Sequence, residues 1–256
     1  MSKTIDINCD MGEGFGAYTM GDDTGMMEVV STVNLACGFH AGDPSIMQNT
    51  LERAKVGGIA VGAHPGYPDL WGFGRRSMVY TPKQLQQLVA YQVGAAMGMA
   101  SASGYAITHV KAHGALGHLV SDDKDAGQIF ADVVRAVDTS LILCTIANSS
   151  LHRIGLEKGM RVVSEIYADR AYLDDGRLMP RSQPGSVIHD AEESAKRVRA
   201  MVDGQCLISY TGKRIPVDID TVCVHGDTPD AVHIARRIRR ELESAEYAIA
   251  PYAEVA

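Results

Sequence analysis

Histidine, aspartate and glutamate recur along this chain in short polar clusters, each set directly after an apolar run. Asp10 and Glu13 follow the first run in DMGEGFG. His40 and Asp43 follow the second in GFHAGD. His64 and Asp69 follow the third in HPGYPD, just ahead of Arg75 and Arg76. KAHGALGH then brings Lys111, His113 and His118, EIYADR brings Glu165, Asp169 and Arg170, and HGDTP brings His225 and Asp227. Imidazole exchanges protons near neutral pH and also ligates metals, and carboxylates do both. Two chemistries therefore stand open. His40, His64 and His113, with Asp10 or Glu13, match the N/O ligand set of a water-activating divalent metal site. The same residues serve as metal-free general acids and bases. No HExxH or CxxC pair decides between the two.

Other residues in these clusters suggest ligand handling. A lysine inside a covered strand must reach an anion or solvent, which singles out Lys111. His109, two residues deeper in the same run, reads as a hydrogen-bonded wall residue. Arg75 and Arg76 have the planar fork that grips a carboxylate, with a salt bridge at a helix start as the plainer reading. Gly12, Gly14 and Gly16 make a glycine-rich turn that lacks the GK[ST] of a P-loop and the glycine spacing of the dinucleotide fingerprint. It is either a structural turn or a backbone cradle for phosphate.

The elements that must position these clusters follow from hydrophobic patterning. Strands are predicted at 4–9, 32–37, 58–63, 105–111, 140–145, 161–165 and 220–225. They are apolar runs more than clean alternations, as expected of strands covered on both faces. Helices are predicted at 44–56, 82–101, 122–137, 148–158, 190–203 and 229–245. Asp43-Pro44 and Thr81-Pro82 each read as a cap followed by the first helical position. A βα series of this length fits one α/β barrel over residues 1–256, or a doubly wound sheet. The absence of a composition break favours the barrel, with an irregular excursion around 166–219 carrying RLMPRSQPG and YTGKRIP. In either fold the polar clusters gather at the C-terminal rim of the strands.

Composition narrows the function class. The chain has 256 residues, 46% of them hydrophobic, and a formal net charge of −7. That balance gives no basic field for extended nucleic-acid binding. No apolar window is long enough to span a membrane, and no secretory signal opens the chain. Five scattered cysteines, at 9, 37, 144, 206 and 223, read as reduced thiols of a cytoplasmic protein.

Six blocks carry a family resemblance: DINCDMGEGFG (6–16), NLACGFHAGDP (34–44), VGAHPGYPDLWGFGRR (61–76), HVKAHGAL (109–116), SEIYADRAY (164–172) and CVHGDTPDAV (223–232). In this order they resemble the lactam-utilisation proteins, a family described as the A subunit of the bacterial ATP-hydrolysing 5-oxoprolinase. The likeness spans roughly residues 4–250. It implies a distorted seven-stranded (β/α) barrel of TIM-like form, related to polysaccharide deacetylases. It also implies a hydrolase that takes part in cleaving 5-oxo-L-proline, a small lactam, to L-glutamate. ATP with Mg²⁺ would be consumed, and the B and C subunits would be required as partners. The metal of the deacetylase relatives is not implied to carry over.

On this reading Asp10, Glu13, His64, Lys111 and His113 are catalytic, while Gly12, Gly14, Arg75, Arg76 and Asp169 bind the nucleotide or substrate. His40, His64 and His113 are the candidate metal ligands. An amidase or deacetylase acting on another lactam or N-acyl substrate is the alternative, and a non-catalytic assembly role is a further one. The family pattern HVKPHGALYN differs here at Ala112, Gly117 and His118. Proline at 112 would have fixed a backbone angle that alanine leaves free.

Overall fold

The computed structural model describes residues 3–226 and 230–253, so Asp227 lies outside the described residues. In chain order the elements are β1 (Lys3–Met11), α1 (Asp23–Met27), β2 (Thr32–Ala36), α2 (Pro44–Gly57), β3 (Ala60–His64), α3 (Pro82–Ala102), β4 (Ile107–Val110), α4 (Gly114–Asp122) and α5 (Lys124–Val137). They continue with β5 (Ile142–Ile146), α6 (Ser150–Glu157), β6 (Val162–Tyr167), α7 (Ala191–Gly204), β7 (Cys206–Ile208), β8 (Arg214–Pro216), β9 (Thr221–Cys223), α8 (Ala231–Ser244) and β10 (Tyr247–Ile249).

Seven parallel strands close on themselves in the order β1-β2-β3-β4-β5-β6-β9, with β9 returning to β1 through Asp6↔Thr221 and Asn8↔Cys223. The expected (β/α) barrel is therefore the observed one, and the doubly wound sheet is excluded. Helices pack around it because each presents an apolar face to strands that are themselves buried. Leu51, Val89, Phe130, Val198 and Ile238 are all fully buried in this layer. Each such side chain contributes about 1.5–3 kcal/mol relative to exposure.

The caps operate as the sequence indicates. Asp43 accepts from Ser45 and Ile46 N–H at the start of α2, and Thr81 and Gln84 form a reciprocal capping box at the start of α3. Three features add to the sequence reading. The helix expected at 122–137 is α5, capped by Asp123 through Ala126 N–H, and an unexpected helix, α4, precedes it. The excursion after β6 contains the antiparallel hairpin β7–β8, in register Leu207↔Ile215. β10 pairs with the first residues of β1, Lys3↔Tyr247.

The inside of the barrel is polar, which is unusual for a volume normally filled by branched aliphatics. At its base Asp6 accepts from Ser31 Oγ at 2.7 Å and from the hydroxyls of Thr32 and Thr221. Above it, Asn34 Nδ2 donates to Asn8 Oδ1 and Asp10 Oδ1, each at 2.8 Å. His109 Nε2 lies 2.9 Å from Asn34 Oδ1, and burial pushes its pKa down to about 3. His109 is thus the neutral wall residue expected. Gly62 is obligatory opposite it, since a Cβ there would lie 2.1 Å from the ring.

Burial also pushes the Asp6 carboxyl up to about 6, against the three hydroxyls that favour its charge. A raised folded pKa means that this group's stabilising contribution is complete below about pH 4 and is lost as pH rises through about 6. The loss is on the order of 3 kcal/mol. Chemical denaturation of wild type and Asp6→Asn across pH 4–7 should therefore show the stability gap moving in favour of the variant as pH rises. A gap that stays flat over this range would contradict the assignment.

Candidate active site

The predicted rim residues meet above the polar barrel interior. Asp10 ends β1, His64 ends β3, and Lys111 and His113 follow β4, where Lys111 N–H and His113 N–H still bond to Ala63 O and Pro65 O. His40 comes in on the loop after β2 and Glu13 on the turn after β1. All six side chains are buried. Asp10, His64, Lys111 and His113 line a cavity of about 790 Å³, within the range of small-molecule sites, and Glu13 and His40 pack against His113.

The hydrogen bonds fix the tautomers of two histidines. His64 Nδ1 lies 2.8 Å from Lys111 O, and His113 Nε2 lies 2.7 Å from Phe73 O. A carbonyl only accepts, so both nitrogens carry hydrogen. In the neutral rings this leaves His64 Nε2 and His113 Nδ1 as lone-pair acceptors. These two acceptors face each other at 3.1 Å. Glu13 Oε1 lies 3.6 Å from the same His113 atom and 3.2 Å from His40 Nε2, and Asp10 Oδ2 lies 3.3 Å from His64 Nε2. His40 and His113 stack at 3.6 Å between ring centroids. Burial and neighbouring cationic side chains hold both well below the usual histidine range, so neither ring supplies a compensating charge.

Lone pairs pressed together in this way call for a cation, either a proton on His64 Nε2 that Asp10 Oδ2 accepts or a metal ion. One ligand atom from each of Glu13, His40, His64 and His113 falls within 4.8 Å of the others. Four donors at tetrahedral zinc distances would be separated by about 3.3 Å. The contacts of 3.1, 3.2 and 3.6 Å bracket that value. The residues thus fit a divalent metal, and Glu13 joins the three histidines expected from sequence.

Lys111 lies beneath this group, fully committed. Its Nζ is 2.8 Å from Glu165 Oε1, 3.0 Å from Asp10 Oδ1, 3.3 Å from Asn8 Oδ1 and 3.2 Å from Cys223 Sγ. Burial works against its charge, but Asp10 and Glu165 outweigh it and hold the ammonium well above its ordinary pKa. Asp10 is the reverse case. Burial would raise it, yet His64 and Lys111 hold it well below the usual carboxylate range. Glu165 is entirely buried, and among the described residues neither oxygen has a hydrogen-bond partner and Lys111 is its one ion-pair partner.

Across the cavity, Asp169 receives His225 Nδ1 at 2.8 Å. Burial would raise the Asp169 pKa, and His225 overrides it to hold the carboxylate ionised. His225 lines the cavity and stacks on the Tyr167 ring at 5.3 Å between centroids.

Other sequence candidates are not brought to the cavity. Gly12 N–H is spent on Asp23 Oδ2, and its Cα faces Leu35. Gly14 packs under Tyr18, and its carbonyl accepts from Gly42. Arg76 is locked to Asp69 in an exposed bridge, while Arg75 does line the cavity. The free, buried state of all five cysteines matches the sequence reading. Glu165 and His225 stand at strand exits in the sequence, yet their position alone gives them no role. Strand parity is the available signal, since Glu165 shares its face with Tyr167. Ala112, Gly117 and His118, where the chain departs from the lactam-utilisation pattern, all lie on the cavity wall.

Known proteins share this architecture. The LamB/YcsF family model matches residues 5–256. A protein from Gluconobacter oxydans (strain 621H), named as the A subunit of 5-oxoprolinase, is 49% identical over 248 residues, covering 97% of this chain and 98% of that one. The crystal structure of a lactam utilization protein from Thermus thermophilus superimposes with a TM-score of 0.92 at 40% identity, over 97% of this chain and 100% of that one. A deacetylase designated T48, solved with substrate, shares the fold at a TM-score of 0.50 and 12% identity, over 97% and 87% of the two chains. On the full-length family match and the near-half identity of its relatives, this chain belongs to the LamB/YcsF family.

Proposed function

We propose that this chain is the lactam-cleaving component of an ATP-hydrolysing 5-oxoprolinase, acting with the B and C subunits on 5-oxo-L-proline. The observation that carries this reading is the convergence of Glu13, His40, His64 and His113, beside an ionised Asp10, in one cluster that meets the cavity through Asp10, His64 and His113. The naming of relatives at about half identity as the A subunit of that enzyme supports it. So does the exposure of Leu70 and Trp71 on the loop that delivers Arg75, an apolar surface of the kind partner subunits cover.

A five-membered lactam is an unstrained amide and a poor electrophile. Phosphorylation of its oxygen by ATP with Mg²⁺, consumed by the assembled complex, activates the ring carbon. Water adds to that carbon and loses a proton. The C–N bond then breaks as the nitrogen gains a proton, leaving an acyl phosphate. A second water converts this to glutamate and phosphate. Asp10 accepts the proton of the attacking water, and Lys111 positions Asp10 and keeps it ionised. His225, oriented by Asp169, delivers the proton to nitrogen. A divalent cation held by Glu13, His40, His64 and His113 would supply polarisation of the amide oxygen.

A metal-dependent amidase or deacetylase that needs no ATP is the second reading, favoured by the donor set alone. Glutamate release from 5-oxo-L-proline separates the two. Release that requires both ATP and the complete complex is expected. Release by the chain alone without ATP would favour the amidase, and no release by a properly assembled complex would overturn the proposal.

A further inference from the structure

Part of the cavity wall is built from the irregular segment after β6. Its central side chain is Arg170, only 2% exposed. A buried guanidinium normally pairs with a carboxylate, because desolvating an unpaired charge is costly. Here the neighbouring carboxylate, Asp169, is engaged with His225. Arg170 instead donates through Nη2 to Met179 O at 2.6 Å and through Nε to Ser186 O at 3.4 Å. Among the described residues no carboxylate lies within ion-pairing distance of it and Nη1 makes no hydrogen bond. The two carbonyls set the guanidinium plane without supplying an ion-pair partner, and the residue lines the cavity.

A second arginine stands beside it. Arg181 also lines the cavity, lies close enough to depress the Arg170 pKa after burial has done so, and forms no ion pair among the described residues. Of the arginines on the cavity wall, Arg177 is paired with Asp175 and Arg153 donates to the carbonyl of Asn148, whereas Arg170 and Arg181 have no ion-pair partner among the described residues. Both line the same cavity as Asp10, His64 and His113, as a ligand with a reactive amide at one end and an anion at the other requires.

We propose that Arg170 and Arg181 form an anion subsite that takes the carboxylate of a small carboxylated amide while its amide group faces Asp10, His64 and His113 in the same cavity. This deepens the lactam reading and rests on it only for the identity of the amide. It moves the carboxylate grip expected of Arg75 and Arg76 to a different wall, since Arg76 is spent on Asp69.

Calorimetric or ligand-detected NMR titration of the full chain tests this with three probes: 5-oxo-L-proline, 2-pyrrolidinone (the same ring without its carboxylate) and N-acetylglycine (an open-chain amide acid). Wild type should prefer the acids. Arg170→Lys and the exposed Arg181→Gln should each weaken 5-oxo-L-proline by about tenfold and leave 2-pyrrolidinone within about twofold. Arg181→Gln guards against a folding defect in the buried variant. Unchanged acid binding in both variants, or equal loss of the neutral lactam, would overturn the subsite. So would inorganic phosphate binding that depends on Arg181 while the acids bind independently of it. Arginine-dependent binding of N-acetylglycine without binding of 5-oxo-L-proline would uphold the subsite and sink the 5-oxoproline reading instead.

Discussion

Replacing Lys111 with methionine is expected to destabilise the fold by about 3–5 kcal/mol, the cost of removing one partner from a buried ionic group. The ammonium is 3% exposed and sits between Asp10 and Glu165. Among the described residues Glu165 has no hydrogen-bond partner, so loss of Lys111 leaves it and Asp10 buried without the ammonium between them. Methionine fills similar volume, which separates the charge effect from a cavity effect. The double variant Lys111→Met/Glu165→Gln should recover more than half of the loss, because one of the two charges is then gone. Urea denaturation midpoints of the three proteins measure this. A single variant within about 1 kcal/mol of wild type would show that Lys111 does not hold the carboxylates together.

The second large effect is on turnover. Asp10→Asn should lower kcat of the assembled three-subunit complex by about 10³-fold, within the usual contribution of a positioned base. The amide retains an oxygen for Lys111 Nζ and Asn34 Nδ2, which reach Asp10 Oδ1 at 3.0 and 2.8 Å. Substrate is held elsewhere, so KM should move little. A loss confined to kcat removes an interaction made in the transition state. The measurement is steady-state glutamate release, with complex assembly verified by size exclusion. A kcat within about threefold of wild type would remove Asp10 from the chemistry.

The barrel is legible in the sequence because its cause is local. Seven apolar runs separated by capped helices leave few arrangements, and Asp43-Pro44 and Thr81-Pro82 announce their helices directly. The gathering of Asp10, His40, His64 and His113 follows from the same reasoning, since strand exits share a rim. What spacing does not carry is which polar atoms face which. Gly12 and Gly14 look like a phosphate turn until Asp23 and Gly42 are seen to occupy their backbone groups. Arg75 and Arg76 are adjacent in sequence, but Asp69 captures only the second in an ion pair of its own loop. Lys111 is placed by its strand to meet developing charge, and its protons are taken instead by Asn8, Asp10 and Glu165. The short helix α4 is hidden because it opens on Gly114 behind His113, which makes no side-chain cap hydrogen bond. These are facts of side-chain pairing, much of it across long sequence separation.

The central claim is that Glu13, His40, His64 and His113 form a cation site bordering the cavity. Titration of chelator-treated chain with Zn²⁺ and Mn²⁺ tests it without recourse to activity. The account predicts one tight site per chain in wild type, with affinity reduced by at least about 100-fold in His113→Ala, while circular dichroism shows the fold retained. Wild type that binds neither ion, or a His113→Ala chain that binds as tightly as wild type, would contradict it.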